Sequence, residues 1–440
     1  MAFRDFATPQ MSRRSLLRTG AWLGAGAAIG GLPMRAFAQG AGQWPAVEAL
    51  VKSYIDSRKV ASMIATLGWG QGAPTTIGGG TLAIGQAAVA GPDSLYRIYS
   101  MTKPVTGMAA MQLIAENRLG LDQPIAELLP AFANMTVQKT YDGSITDVEP
   151  IVRPITVRHL LTHTAGIGYG IIQKGPIKTA YEDAGVIAGQ VTKIPALAAM
   201  FGRGTPVRSL SAFADALAKI PLVAQPGTRW SYSMSLDLLG RVIEVASGMS
   251  FDGYLQQAIF GPAGMTSTYF QVPSSDLPRL TTNYGVVGGN LIPIDPAAMS
   301  VYADPPAFPF GGAGLVSSPA DYDRFLRMLL GYGKIDGKRV LNELAVRVGT
   351  SNLLPDGVDT KGTFAAGSGF GAGGRVGLGE QAGTYGWGGA AGTVALVDMK
   401  RGLRANLMTQ YMPSEAYPVH ADFPAAVVKD LGAMAGKKPA

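Results

Sequence analysis

Ser100 and Lys103 are the residues of this sequence best suited, by type and spacing, to covalent chemistry. They belong to Ser100-Met101-Thr102-Lys103, the single Ser-x-x-Lys of the 440 residues, which precedes an apolar run with helical spacing over residues 105–117. A serine and a lysine three positions apart on a helix share one face, so the amine can reach the hydroxyl and accept its proton. The pair suggests a serine nucleophile for acyl transfer. Because about one such tetrapeptide is expected by chance in a chain of this length, other motifs must support it.

Further motifs follow in a fixed order along the chain. A tyrosine motif lies in the middle, a glycine-rich stretch comes later, and a Trp-Gly-Gly motif lies near the end. They are Trp230-Ser231-Tyr232-Ser233-Met234, then Gly311-Gly312-Ala313-Gly314, then Trp387-Gly388-Gly389-Ala390-Ala391-Gly392-Thr393. With the Ser-x-x-Lys, this order resembles the serine beta-lactamase and penicillin-binding-protein superfamily, specifically its class C-like branch, which includes the family VIII carboxylesterases.

The resemblance implies an enzyme of the serine hydrolase type and a role for the Ser-x-x-Lys, tyrosine and Trp-Gly-Gly motifs. Ser100 is expected to form the acyl-enzyme, and Tyr232 to share its proton with Lys103; which of the two is the base stays open. The backbone N–H groups of Ser100 and Ala390 are the expected oxyanion hole. Trp387, Gly388 and Gly389 are expected to bind substrate, because the glycines allow it to approach the strand closely.

Two departures from the lactamase pattern favour ester substrates. Lactamases of this superfamily carry Tyr-x-Asn and Lys-Thr-Gly, whereas this chain has Met234 and Trp387 at the positions of the asparagine and the lysine. A charge-assisted hydrogen bond is worth about 1.5 to 3 kcal/mol, so losing the cation penalises an anionic beta-lactam roughly 10- to 100-fold. The sequence therefore predicts a carboxylesterase for short-chain esters, with weak beta-lactam hydrolysis as a side activity and Trp387 as an apolar wall.

Three alternatives stay open. The first is a class C-like beta-lactamase, or a D-aminoacyl peptidase or amidase, in which another cation binds the substrate carboxylate. The candidates for that cation are Arg97, Arg158, Lys174 and Arg375. The second is an acyltransferase, which would use the same acyl-enzyme. The third is a catalytically silent cell-wall binding protein on the same scaffold.

The histidines and the absence of cysteine exclude other chemistry. No Cys occurs, so thiol nucleophiles, disulfides and cysteine metal sites are ruled out. His159 and His163 lack the intervening glutamate of a His-Glu-x-x-His zinc site, and we expect them to be packed and hydrogen-bonded. The sequence contains no Gly-x-Ser-x-Gly motif, so it gives little support to a Ser-His-Asp triad. Neither a metal nor a cofactor is implied.

The first 38 residues predict export by the twin-arginine route. Arg13 and Arg14 precede an apolar run over residues 21–32, and Ala36-Phe37-Ala38 is a small-x-small cleavage site. We expect a periplasmic or secreted protein with no stable membrane anchor once the signal is removed, because about 12 apolar residues are too few to span a bilayer. The remainder has 32 basic and 29 acidic residues, so the expected partner is a small-molecule ester and not nucleic acid. The oligomeric state is open.

The elements that must position these motifs predict an α+β fold, an antiparallel sheet flanked by helices plus a mainly helical lobe, within one domain over residues 39–440. Helices are expected at 44–55, 105–117, 210–219, 236–248, 251–260 and 420–434, and strands at 61–68, 75–84, 383–398 and 403–411. The sheet lobe is expected over about 43–98 and 305–440, and the helical lobe over about 99–304. Residues 369–374 fit Gly-x-Gly-x-x-Gly but are expected to be a flexible loop near the cleft. Residues 169–204 are expected to form a lid or a wall of the acyl pocket.

Overall fold

The structure is a computed structural model that describes residues 44–198 and 205–436. The expected signal peptide lies outside the described residues, and so do residues 199–204 of the expected lid segment. The strands are β1 Ser62–Trp69, β2 Thr75–Gly80, β3 Tyr96–Arg97, β4 Thr136–Gln138, β5 Val148–Pro150, β6 Asn283–Val287, β7 Asn290–Asp295, β8 Val316–Ser317, β9 Lys334–Ile335, β10 Lys338–Arg339, β11 Gly369–Phe370, β12 Arg375–Val376, β13 Thr384–Gly388, β14 Val394–Asp398 and β15 Leu403–Thr409.

The main sheet of the described residues has seven strands in the order β11-β12-β13-β14-β15-β1-β2. All its neighbouring strands are antiparallel; Met63 is paired with Thr409 and Trp387 with Ala395. Both ends of the chain therefore contribute to one sheet, as the sequence predicts. The α-helices are α1 Pro45–Asp56, α2 Thr102–Ala115, α3 Val157–Leu161, α4 Pro176–Asp183, α5 Pro195–Ala198, α6 Leu210–Leu217, α7 Ser235–Ser247, α8 Phe251–Leu255, α9 Gly261–Ala263, α10 Pro319–Leu330, α11 Glu343–Gly349 and α12 Val419–Gly436.

Helices cover both faces of the sheet, and the residues of β1 and β15 are buried on both sides. Met63, Ala65 and Leu67 face one cluster with side chains of α1 and α12. Ile64, between them, belongs to the opposite cluster, which includes side chains of α10. Successive strand residues point to opposite faces, so burial of every residue along a strand indicates that both of its faces are covered. The predicted α+β architecture is confirmed.

Helix α2, which begins two residues after Ser100, runs through the core of the molecule. Eleven of its fourteen residues are buried, from Thr102 to Leu113, and it packs against α7, α11 and β13. A helix that is apolar on all sides is typical of such a central position. Ser100 and Lys103 are therefore attached to one of the most firmly packed elements of the structure.

Most predicted elements are found within a few residues of their expected bounds. The predicted helix over 251–260 comprises α8 and the π-helical segment Gln256–Phe260. The prediction of one continuous strand over 383–398 is wrong, because residues 389–393 turn the chain between β13 and β14. The boundaries of the two lobes stay predictions.

The glycine-rich residues 369–374 form a buried β-hairpin between β11 and β12, where the sequence predicts a flexible loop. Gly371 N–H donates to Gly374 O at 2.8 Å, and Gly373 N–H donates to Leu161 O at 3.0 Å. The glycines allow close packing, since a Cβ on Gly373 would collide with the backbone carbonyl of Lys103. No helix in the described part of the chain is both long and apolar enough to cross a membrane.

Candidate active site

Ser100 lies in a 3-10 turn, Tyr99–Met101, that leads directly into α2. Tyr99 has a positive φ of 39°, which is unusual for a bulky residue. Burial of its ring and a hydrogen bond of 3.3 Å, from Asn283 Nδ2 to Tyr99 Oη, hold this conformation. The turn places the Ser100 hydroxyl at the beginning of the helix, on the side of Lys103.

The structure brings Ser100, Lys103 and Tyr232 together, as the sequence predicts. Tyr232 Oη donates to Ser100 Oγ at 2.6 Å, and Lys103 Nζ donates to the same oxygen at 3.2 Å. Lys103 Nζ also donates to Gly312 O at 2.7 Å and lies 4.6 Å from the centre of the Tyr232 ring. The three groups form one hydrogen-bonded cluster in which a proton can leave Ser100 Oγ.

An extended segment, residues 230–234, positions Tyr232 ahead of α7. Trp230 N–H donates to Asp359 O at 2.9 Å, and Ser231 N–H donates to His163 O at 3.0 Å. Met234 N–H donates to Gly168 O at 3.2 Å. These backbone hydrogen bonds lie on both sides of Tyr232 in the sequence. They therefore fix the position from which the phenol contacts Ser100.

The histidines pack around the site and do not form a triad with Ser100. His163 Nδ1 is 2.7 Å from Ser233 Oγ, and its ring centre is 4.9 Å from that of Tyr232. Burial, and secondarily the charge of Lys103, keep the pKa of His163 well below its usual value, so the ring is neutral. His159 Nδ1 accepts from Thr156 N–H at the start of α3. Among the described residues no group of three or more acidic or histidine side chains is arranged for a metal.

Trp387 contacts the reacting cluster with its indole N–H as well as with its ring. Trp387 Nε1 donates to Tyr232 Oη at 3.4 Å, and the two ring centres are 5.8 Å apart. The sequence predicts only an apolar wall at this position. The structure adds a hydrogen-bond donor next to the Tyr232 oxygen.

The turn after β13 carries the expected oxyanion donor. Gly389 N–H donates to Thr393 O at 2.8 Å, and Ala390 packs beside Tyr99 and Ala391. A Cβ on Gly389 would collide with the carbonyl oxygen of Ile98, two residues before the nucleophile. The turn and the Ser100 segment are thus in contact, which is the arrangement that two convergent backbone N–H groups require. His420 supports the turn from α12, because its Nε2 is 3.0 Å from Thr393 O.

Several side chains around Tyr232 were not identified from the sequence. Tyr169 is buried, with its ring centre 5.6 Å from that of Tyr232 and 5.7 Å from Lys103 Nζ. Phe364 packs edge-on to Tyr232 at 5.7 Å. The buried carboxyl of Asp237 interacts electrostatically with Lys103. Tyr169 begins the segment that the sequence assigns to a lid or pocket wall, but no local motif identifies Phe364 or Asp237.

The four cations considered for binding a substrate carboxylate differ in their burial and in their contacts. Arg97 is buried and bonds Asp295, with its Nε 2.6 Å from Asp295 Oδ2. Arg158 bonds Asp122, and Lys174 is exposed. Arg375 is buried, donates to the carbonyl of Phe364 and lies 5.8 Å from the centre of the Trp387 ring.

Comparisons with known proteins agree with this architecture. A family model described as Beta-lactamase matches residues 47–429. Protein Rv1367c of Mycobacterium tuberculosis is 35% identical over 339 residues, which are 73% of this chain and 78% of that protein. Esterase EstB of Burkholderia gladioli is 30% identical over 339 residues, which are 72% of this chain and 77% of that protein.

A solved structure shows the same fold. EstCE1, described as a hydrolase with promiscuous acyltransferase activity, superposes with a TM-score of 0.68 at 23% sequence identity. The alignment covers 89% of this chain and 99% of EstCE1. The similarity therefore extends over both the sheet and the helical part.

Proposed function

The chain belongs to the beta-lactamase family of serine hydrolases, and on that premise we propose that it is an exported carboxylesterase for short-chain esters. The observation that carries the proposal is the position of Trp387. An indole stands where lactamases of the superfamily carry a lysine, and it contacts Tyr232 from inside the site. Uncharged esters lose nothing from this exchange, whereas an anionic lactam loses a cation.

The reaction divides into acylation and deacylation. Ser100 Oγ attacks the ester carbonyl carbon, while its proton moves to whichever of Tyr232 Oη and Lys103 Nζ is deprotonated. The negative oxygen of the tetrahedral intermediate is bound by the N–H groups of Ser100 and Ala390. The alcohol leaves with the transferred proton, and the acyl group stays on Ser100. Water then attacks the acyl ester, gives its proton to the same pair, and releases the acid as Ser100 regains its proton.

The surroundings of the arginines support esters over anionic lactams. Arg97 and Arg158 are engaged with Asp295 and Asp122. Arg375 lies behind the Trp387 ring and is only 5% exposed. None of these three guanidinium groups is positioned in the open to bind a substrate carboxylate, so an uncharged acyl group is the better match.

Export is proposed from the first 38 residues alone. The paired Arg13 and Arg14, the apolar run and the Ala36-Phe37-Ala38 site support a twin-arginine signal and a periplasmic or secreted enzyme. The test is the N-terminal sequence of protein recovered from the periplasm. We expect it to begin at Gln39, and an uncleaved cytoplasmic protein would contradict export.

The function is tested by measuring kcat/KM on p-nitrophenyl butyrate and on nitrocefin in parallel, with Ser100→Ala as the blank. We expect a large preference for the ester that disappears in the variant. Efficient nitrocefin hydrolysis with no ester turnover would replace the proposal by lactam hydrolysis.

A second candidate is acyl transfer to an alcohol. It is favoured by the aromatic rings around Tyr232, namely Tyr169, Phe364 and Trp387, which leave an apolar environment next to the acyl-enzyme. Such surroundings favour an alcohol with an apolar body over water. Adding butanol to the ester assay separates the two, because transfer yields butyl butyrate and hydrolysis yields butyrate.

A further inference from the structure

Asp237 is a buried carboxylate beside the nucleophile for which the reaction described above has no use. It is the third residue of α7 and is fully buried. Its Oδ1 accepts a hydrogen bond from Gly312 N–H at 2.8 Å. The carbonyl oxygen of the same Gly312 accepts from Lys103 Nζ at 2.7 Å. One glycine therefore connects Asp237 to the lysine of the reacting cluster.

The peptide group before Gly312 is held from both sides. Its N–H donates to Asp237, and its carbonyl, that of Gly311, accepts from Thr106 Oγ1 at 2.7 Å. Thr106 lies on α2, one turn after Lys103, and Asp237 lies on α7. With that peptide plane fixed, only the φ and ψ angles of Gly312 set the direction of the next carbonyl. The direction that it takes is toward Lys103.

The fit requires both glycines. A Cβ on Gly311 would collide with Leu236 O, and a Cβ on Gly312 would lie 2.5 Å from Asp237 Oδ2. Asp237 Oδ2 is buried and has no hydrogen-bond partner within the described residues, so it lies directly against the glycine. This accounts for Gly311 and Gly312 in a motif to which the sequence assigns no role.

The electrostatic surroundings keep the carboxyl charged at neutral pH. Burial raises the pKa of Asp237 to about 6, and the nearby Lys103 ammonium and the Gly312 N–H oppose that rise. The phenol of Tyr169 also interacts electrostatically with it. The anion thus lies near Lys103, whose Nζ donates to Ser100 Oγ and Gly312 O together.

We propose that Asp237 is a positioning residue for Lys103, acting through Gly312. It fixes the Gly311–Gly312 peptide, and the Gly312 carbonyl then holds Lys103 Nζ beside Ser100 and Tyr232. The inference takes its ester substrate from the proposed function. The role of Asp237 itself does not depend on that substrate, because it concerns only how Ser100 is activated.

The test compares three variants in two assays. Asp237→Ala removes the acceptor, Asp237→Asn keeps one, and Thr106→Val removes the donor on the other side of the same peptide with little change of shape. The assays are kcat and KM on p-nitrophenyl butyrate, and the rate of labelling by a fluorophosphonate, which requires an activated Ser100 but no ester turnover. Asp321→Ala is the matched control, since Asp321 is also buried and accepts a backbone N–H, from Ser267 at 2.6 Å.

We expect Asp237→Ala to lower kcat and the labelling rate about 10- to 100-fold, with KM within threefold. Asp237→Asn should recover most of that loss, and Thr106→Val should lose about fivefold. Labelling at the wild-type rate in folded Asp237→Ala would overturn the inference. If that variant does not fold, wild-type labelling of Thr106→Val would overturn it instead. If wild-type protein does not hydrolyse esters but labelling still depends on Asp237, the proposed function fails and the inference stands.

Discussion

Tyr232 Oη lies 2.6 Å from Ser100 Oγ, which makes the phenol the nearest proton-transfer group to the nucleophile in the described structure. Lys103 Nζ is farther from that oxygen, at 3.2 Å, and also donates to Gly312 O. The phenol thus makes the shorter hydrogen bond to Ser100 Oγ, whereas the amine divides its donors between two acceptors. Substitutions at Tyr232 should affect the chemical step more than substrate binding.

Tyr232→Phe removes the phenol oxygen and keeps the ring. We expect kcat for p-nitrophenyl butyrate to fall about 10²- to 10⁴-fold with little change in KM, because proton transfer to a positioned group is lost. Stopped-flow measurement of the acylation burst checks the result. Tyr169→Phe is the matched control, since the Tyr169 hydroxyl donates to Ala188 O at 3.4 Å and not to Ser100. Equal losses in the two variants would contradict the assignment.

Trp387→Phe removes the indole N–H and keeps an aromatic wall. The lost hydrogen bond to Tyr232 Oη is worth about 0.5 to 1.5 kcal/mol, so kcat/KM should fall about 2- to 10-fold. Steady-state kinetics on a series of acyl esters checks this. A loss that grows with acyl-chain length would instead show that the ring matters mainly for shape.

Trp387→Lys should not create an efficient lactamase. Arg375 lies 5.8 Å from the centre of the Trp387 ring and is buried, so an introduced ammonium would meet a like charge with little water to screen it. We expect a lower melting temperature and no gain in nitrocefin turnover, with Trp387→Met as the uncharged control. A clear rise in kcat/KM for nitrocefin would show that the site accommodates both cations.

Gly389→Ala tests the oxyanion turn. The added Cβ would collide with Ile98 O and with Thr393 Oγ1, and the turn must then move away from Ser100. Misplacing an oxyanion donor costs about 10²- to 10³-fold in kcat. Gly432→Ala in α12 is the control, because its Cβ would meet no atom within 4 Å and kcat should not change. Wild-type kcat in Gly389→Ala would place the oxyanion hole elsewhere.

His420 should make the folded protein sensitive to acid. Burial lowers its pKa from 6.5 to about 4, and so the unfolded chain binds a proton that the folded protein does not as the pH falls through this range. The resulting loss is about 3 kcal/mol of stability between pH 7 and pH 4, and is absent above pH 7. Urea unfolding of wild type and His420→Gln at several pH values checks it. From pH 7 to pH 4, the free energy of unfolding of the wild type should fall by about 3 kcal/mol more than that of the variant. An equal fall in both proteins would exclude the effect.

The parts of the fold that depend on local patterns were predictable from the sequence. Helices α1, α6 and α7 have one apolar face, and β1 is a mostly apolar segment between turn residues. Ser100 and Lys103 are predicted together because only one turn of helix separates them. Tyr232 and Trp387 required the resemblance to a family, since no local rule places them beside Ser100.

The remaining features depend on contacts between distant segments. Asp237 is separated from Gly312 by 75 positions, and His420 from Thr393 by 27, so neither pair has a spacing that could be recognised. The sequence predicts a flexible loop at residues 369–374 because glycine is common both in loops and where backbones pack closely. Only the neighbours of Gly373, which are backbone atoms of Lys103 and Pro104, distinguish the two cases.

The pairing of β1 with β15 has a consequence for how the protein is made. Ser62 and Thr409 share a hydrogen bond across 347 positions of sequence, so β1 keeps one unpaired edge until nearly the whole chain has left the ribosome. During that time the β1–β2 hairpin exposes apolar residues on both faces. Such a state is prone to aggregation. A nascent chain that is released before β15 is complete lacks the strand that joins β1 to β14. We therefore expect premature termination anywhere before residue 403 to yield insoluble fragments and not smaller folded domains.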